Sequence, residues 1–109
     1  MDLKTGRQIT LIESEALETM WQVDGVKLLP GQTRRNIITI GIPLNNLVDR
    51  IFTIGEVKLR GVRLCEPCRY LADRTDQRIL RSMVHKGGLR ADIISEGTIY
   101  IDDQISIFE

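Results

Sequence analysis

Apolar and polar residues alternate most clearly in two stretches of the chain. In "GEVKLRGVRL" the apolar positions are Val57 and Leu59, then Val62 and Leu64, the pattern of a half-buried strand. "LVDRIFTI" leads into Gly55, so Arg50 to Leu64 predicts a hairpin with its turn at Ile54-Gly55-Glu56. The second stretch is C-terminal: "LRADIIS", "GTIYI" and "QISIF" predict three closing strands, with turns at Glu96-Gly97 and Asp102-Asp103. Residues 8–12 add a short strand, "RRNIITI" (34–40) is β-rich, and Gly41 to Asn46 is a loop. Ala16, Leu17, Met20 and Trp21 instead fall at helical spacing behind Glu13 or Ser14. Tyr70 and Leu71 suit a helix over 68–74, and "QRILRSMVHK" continues as another, stopped by Gly87-Gly88.

Many short strands joined by glycine turns, with two or three helices, predict a mainly β fold: an antiparallel, barrel-like sheet with helices on its side. Val57, Leu59, Ile93, Ile99 and Ile101 are expected to share one core, since they alternate along candidate strands. The helix near 14–22 is expected to pack outside the barrel through Leu17, Met20 and Trp21.

Bulk properties bound the function. The 109 residues fit a single domain, 1–109, with 42% apolar residues. Lys plus Arg (15) equals Asp plus Glu (15), which argues against nucleic acid as a partner. No apolar run approaches the roughly 20 residues of a membrane span, and "MDLKTGRQITL" is not a signal peptide. Two cysteines do not make a disulfide scaffold, so the expected setting is the cytoplasm, with reduced thiols.

Those two cysteines bracket Glu66-Pro67 at residues 65–68, where the long strand ends and Pro67 turns the chain. A strand end carries a thiol to the rim of a sheet. A thiol acts as nucleophile, metal ligand or sulfur carrier only as thiolate. Arg63 and Arg69 flank the loop, and a helix starting near Cys68 would favour the thiolate further. The competing reading makes both cysteines small buried hydrophobes. A thioredoxin-type motif belongs at a helix start after a βαβ pattern, whereas this pair follows a hairpin. A closed zinc site needs four ligands, and only Cys65, Cys68 and His85 are of the usual kind.

The segment "RRNIITIGIPLNNLVDRIFTIGEVKLRGVRLCEPC" resembles the C-terminal domain of molybdenum cofactor sulfurases, the MOSC domain, a family linked to pyridoxal phosphate-dependent sulfurases. Three blocks carry the likeness: Arg35-Asn36-Ile37, the "IGEVKLRGVRLCEPC" cysteine block, and the tail "HKGGLRADIISEGTIYIDDQI". The likeness covers roughly residues 7–107. The resemblance implies a β-barrel-like fold and either binding of molybdenum cofactor (molybdopterin) or sulfur carriage for metal–sulfur cofactor assembly. By position the family's "P-C" cysteine is Cys68, implied as persulfide carrier or as thiolate ligand to molybdenum, a soft partner that suits sulfur. Arg35 and Asn36 occupy the family's R-x-N block. Arg35 and Arg90, with Arg34 close by, are candidates for the cofactor's phosphate, which guanidinium groups bind in bidentate fashion. For any one arginine the plainer reading is a solvated surface residue, and for Asn36 an amide that ties a loop to the backbone.

The chain departs from the family in two places. Only a few residues precede "GRQITLIE", where family members carry several dozen, so an incomplete barrel, or one closed by a second copy, is expected. Asp102-Asp103 stands where the family often has Gly-Asp. The expected function is cofactor binding or sulfur transfer through Cys68, as a molybdenum cofactor-dependent reductase or a sulfurtransferase-type domain. The alternatives are a non-catalytic accessory domain that keeps only the fold and a metal-free cysteine sulfurtransferase. The implied partners are a sulfur donor of the cysteine desulfurase type or a redox protein, and the expected assembly is a homodimer.

Overall fold

The computed structural model describes residues 1–25, 27, 35–65 and 88–107. Its elements run β1 (Asp2–Leu3), β2 (Gln8–Glu13), α1 (Ser14–Asp24), β3 (Ile37–Thr39), a 3-10 turn (Leu44–Leu47), β4 (Ile51–Ile54), β5 (Val57–Leu64), β6 (Leu89–Ser95), β7 (Gly97–Thr98) and β8 (Ile105–Ile107). The helices expected over 68–74 and in "QRILRSMVHK" lie outside the described residues.

Six strands form one sheet in the order β3-β2-β6-β5-β4-β8, and β1 pairs with β7 in a small second sheet. The fold is mainly β, as the patterning predicts. Within the large sheet every pairing is antiparallel except β2 with β3, which is parallel. The sheet curls into a half-barrel whose edges are β3 and β8. The register of β5 on β6 shifts twice, between Lys58 and Leu59 and between Gly61 and Arg63. Such bulges bend and twist a strand, so β5 is where the sheet acquires its curl.

The predicted hairpin forms. Ile54 faces Val57 across a two-residue connection, Gly55-Glu56. Alternation then decides the core: Leu11, Phe52, Val57, Leu59, Leu89 and Ala91 are completely buried. The 3-10 turn plugs this core with Leu44 and Leu47, and it is held on β5 by Asp49 N–H to Gly61 O and Gly61 N–H to Arg50 O, both 2.9 Å. Val57, Leu59, Ile93 and Ile99 are all buried, as expected. Ile101 is not: it is 94% exposed. The alternation of "GTIYI" continues past the end of β7 into a turn, where the Asp103 carboxylate accepts the Tyr100 N–H at 2.8 Å and Ile101 sits at the apex. Asp102 in that turn has φ +75°, a left-handed conformation that glycine adopts most cheaply, so the family's Gly-Asp has a physical reason.

Successive residues of a strand face opposite sides. Leu11 belongs to the core, whereas Ile12 points the other way and is equally buried, together with Met20 of α1. The helix therefore lies on the outside, as expected. Leu17 is half-buried, but Trp21 is 51% exposed, one residue and about 100° around the helix from Met20. The Lys27 Nζ stands 5.6 Å from its ring centroid, a cation–π contact at the surface. The helix closes at Gly25, whose N–H reaches Met20 O. Its first turn is tied to the loop after β3 by Glu15 Oε2, which accepts the Gly41 N–H at 2.6 Å.

Candidate functional site

The register brings several sequence-predicted residues into one row. Thr10 on β2 pairs with Arg90 on β6, and Arg90 pairs with Arg63 on β5. On the other side of Thr10 lies Asn36, just before β3; its N–H reaches Thr10 O at 3.0 Å. Asn36, Thr10, Arg90 and Arg63 thus cross four neighbouring chain segments on the polar face of the sheet. The next row holds Gln8, Asp92 and Arg60.

Each member of the row has a defined bond or lacks one. Asn36 Oδ1 accepts the Thr10 N–H at 2.9 Å and its hydroxyl at 3.2 Å, so the amide oxygen fixes the start of β3 to β2. Arg90 is half-buried and its Nη1 reaches Gln8 Oε1 at 3.4 Å. Its Nε is buried and finds no hydrogen-bond partner among the described residues. Gln8 turns its other end to Asp92, donating Nε2–H to Oδ1 at 2.7 Å. Arg60 lies 3.9 Å from Asp49, a long and exposed ion pair. Arg35 is half-buried, one residue before Asn36.

The last described residues of β5 adjoin this row. Leu64 pairs with Leu89, and the Cys65 N–H bonds to Gly88 O at 2.8 Å. Cys65 is buried and makes no disulfide among the described residues. Cys68, together with Arg34, Arg69, His85 and Lys86, lies outside the described residues. No group of three or more His, Cys, Asp and Glu side chains among the described residues could hold a metal ion. No helix among them is long and apolar enough to cross a membrane.

A separate cleft of about 1220 Å³ lies between the two sheet edges. The β3 side contributes Asn36 through Gly41, and the other side Ile54 and residues 99–105. Its lining includes the exposed Ile40, Tyr100 and Ile101. Of the expected site residues Asn36 faces this cleft, whereas Arg35 and Arg90 do not line it.

Sequence reasoning named Arg63 only as a positive neighbour of the thiols and did not single out Thr10 or Gln8. The signal for Arg63 was present: apolar positions run 57, 59 and then 62, 64, a phase jump at Gly61. That jump is the bulge, which turns Arg63 outward to face Arg90 and Leu64 inward against the core.

The model of one domain family matches residues 2–106. The description of that family is the MOSC domain. This chain belongs to the MOSC domain family. The family is associated with molybdenum cofactor binding and with sulfurases. Solved MOSC-like folds agree. YiiM from Geobacillus stearothermophilus superposes with a TM-score of 0.83 at 18% identity, over 100% of this chain and 61% of that one. The YuaD protein of Bacillus subtilis gives 0.80 at 18% identity, over 91% and 62%. YiiM from Escherichia coli gives 0.70 at 18% identity, over 99% and 68%. At this identity the likeness concerns the fold, and the chain spans about three fifths of the first two proteins. No curated protein matches the sequence.

Proposed function

We propose that this MOSC domain binds molybdenum cofactor or carries sulfur on Cys68, in the cytoplasm. The observation that carries the reading is the strand end at Cys65. It places Cys65, the first residue of Cys-Glu-Pro-Cys, at the end of β5 two residues after Arg63, which pairs with Arg90, in a chain of the MOSC family. Three peptide units reach no more than about 11 Å, so Cys68 stays tethered to that neighbourhood.

The residues present suit an anionic, phosphate-bearing cofactor. The buried Arg90 Nε has no partner among the described residues, and burying such a donor without a partner costs about 1–3 kcal/mol, a cost an anion would remove. Arg90 and Arg35 would hold the phosphate, Asn36 would fix the β2–β3 junction, and Cys68 would give the thiolate. When bound, the cofactor supplies two-electron redox chemistry at molybdenum. The chain's own residues would orient it and neutralise its charge. As a sulfur carrier, Cys68 would take a sulfane sulfur from a cysteine desulfurase-type donor; as a reductase, it would need a redox partner. Among the described residues β3 and β8 are the edges of the sheet, and they are the surface a second copy would cover.

The test is metal and pterin analysis of protein purified from a molybdenum-replete host, with intact mass measured in parallel. The reading expects either molybdenum with a fluorescent oxidised pterin, or a sulfur adduct of about 32 Da on Cys68. Neither appearing, in fresh unreduced protein, would refute it.

A further inference from the structure

We propose that Arg63 and Arg90 form an oxyanion site that takes a phosphate monoester or free phosphate. The proposal deepens the cofactor reading by naming Arg63 as an anion ligand, and its geometry does not depend on Cys68.

Arg63 and Arg90 are directly opposed on antiparallel strands, β5 and β6. Side chains so placed stand about 4.5–5.5 Å apart at their Cβ atoms, and like charges there repel. Left unneutralised, such a pair destabilises the sheet. Among the described residues neither arginine is relieved by a carboxylate. Asp92, two residues along β6, is held by Gln8 Nε2, and the ion pair of Arg60 is with Asp49. Arg63 is exposed, with no ion pair or hydrogen bond among the described residues. Arg90 is half-buried and makes one long Nη1–H bond to Gln8, while its buried Nε–H has no hydrogen-bond partner among the described residues.

The juxtaposition is built rather than incidental. It exists only because the Gly61–Arg63 bulge turns Arg63 to the outer face. Gly61 is held there by the bonds to Asp49 and Arg50, and a Cβ on it would fall on the Leu47 carbonyl oxygen. Two guanidinium forks offer parallel N–H donors and two positive charges. A phosphate monoester near neutral pH carries about −1.5 to −2 charges with three acceptor oxygens, so it matches both the charge and the donors. A carboxylate would neutralise only one of the two.

The experiment uses the full chain and inorganic phosphate, titrated at constant low ionic strength and followed by calorimetry and by thermal melting. Parent protein should bind phosphate saturably at one site and melt higher as phosphate rises, with acetate much weaker. Arg63→Gln should weaken phosphate binding about tenfold or more. It should also raise the melting temperature in phosphate-free buffer, because it removes the repulsion. A merely structural arginine would not give that opposite pair of signs. Arg63→Lys should keep the repulsion and lose much of the affinity, since it lacks the fork. Phosphate binding equal in parent and Arg63→Gln, or absent in the parent, would overturn the proposal.

Pterin content distinguishes the sources of the anion. If Arg63→Gln also loses pterin when made in a molybdenum-replete host, the site serves the cofactor's phosphate. If only phosphate binding falls, it serves a free phosphate or a phosphorylated small molecule. Cys68→Ser should leave phosphate binding unchanged, so failure of the thiol chemistry and failure of the oxyanion site are separable.

Discussion

Replacing Gly88 by alanine should unlock the sheet at the point where the cysteine loop is anchored. Gly88 has φ +102° and precedes β6. A Cβ there would fall on the carbonyl oxygen of Leu11, with the Leu11 carbonyl carbon at 2.9 Å and the Ile12 Cα at 3.2 Å. These are backbone atoms of β2 and cannot rotate away. The strands must part where Leu11 faces Leu89, and the 2.8 Å bond from Cys65 N–H to Gly88 O moves with them. The unfavourable φ costs about 1–3 kcal/mol and the overlap about as much again, so the loss is about 2–6 kcal/mol. A domain of this length holds about 5–16 kcal/mol in all. Gly41→Ala is the matched control: its φ is +78°, but a Cβ there meets nothing within 4 Å. It should cost only the conformational part, about 1 kcal/mol. Urea denaturation of both variants gives the difference, which should exceed about 1 kcal/mol at equal slope. If the two variants unfold at the same urea concentration, the close approach of β2 to Gly88 is not what holds this corner.

Met20→Ala should cost about 2–4 kcal/mol by the same assay, since its side chain is fully buried under α1, whereas Trp21→Ala should cost under about 1 kcal/mol at its half-exposed site. Asp102→Gly should raise the melting temperature slightly, because glycine meets φ +75° without strain. Burial pushes the Glu13 carboxyl above its usual range; the Leu44 backbone N–H opposes this and the Glu15 charge adds to it. The folded chain therefore holds a proton that the unfolded chain has released, and stability falls as pH rises through the window between the unfolded and the raised folded pKa. Glu13→Gln should be flat there, so its advantage over the parent in melting temperature should open as pH rises from about 4 towards neutral; parallel curves would refute the burial argument.

Local patterning carried much of this architecture. The hairpin was legible because alternation, a glycine turn and alternation again fit one another. The helix was legible from its spacing, but spacing alone assigned Trp21 to the buried stripe, and only the sheet's position shows that the stripe is centred on Met20. Ile101 was misplaced because alternation does not report where a strand stops; the Asp103 carboxylate on Tyr100 does, through a contact the pattern cannot show. The parallel pairing of β2 with β3 was not legible. It rests on Thr10 and Asn36, 26 residues apart, bonding to one another. The candidate site was half legible for the same reason. Arg90 and Asn36 stood out as residue types. That Thr10 joins them, and that a bulge brings Arg63 opposite Arg90, follows from cross-strand register, which no single strand encodes.

The central claim is that Cys68 carries the chemistry while Cys65 is structural. Cys65 is buried with its N–H bonded to Gly88, so serine there should perturb stability without touching loading. The most direct measurement compares pterin, molybdenum and persulfide content of Cys68→Ser, Cys65→Ser and the parent, all purified from one molybdenum-replete host. The account predicts that Cys68→Ser loses its loading and Cys65→Ser keeps that of the parent. Full loading of Cys68→Ser, with or without loss in Cys65→Ser, would contradict it.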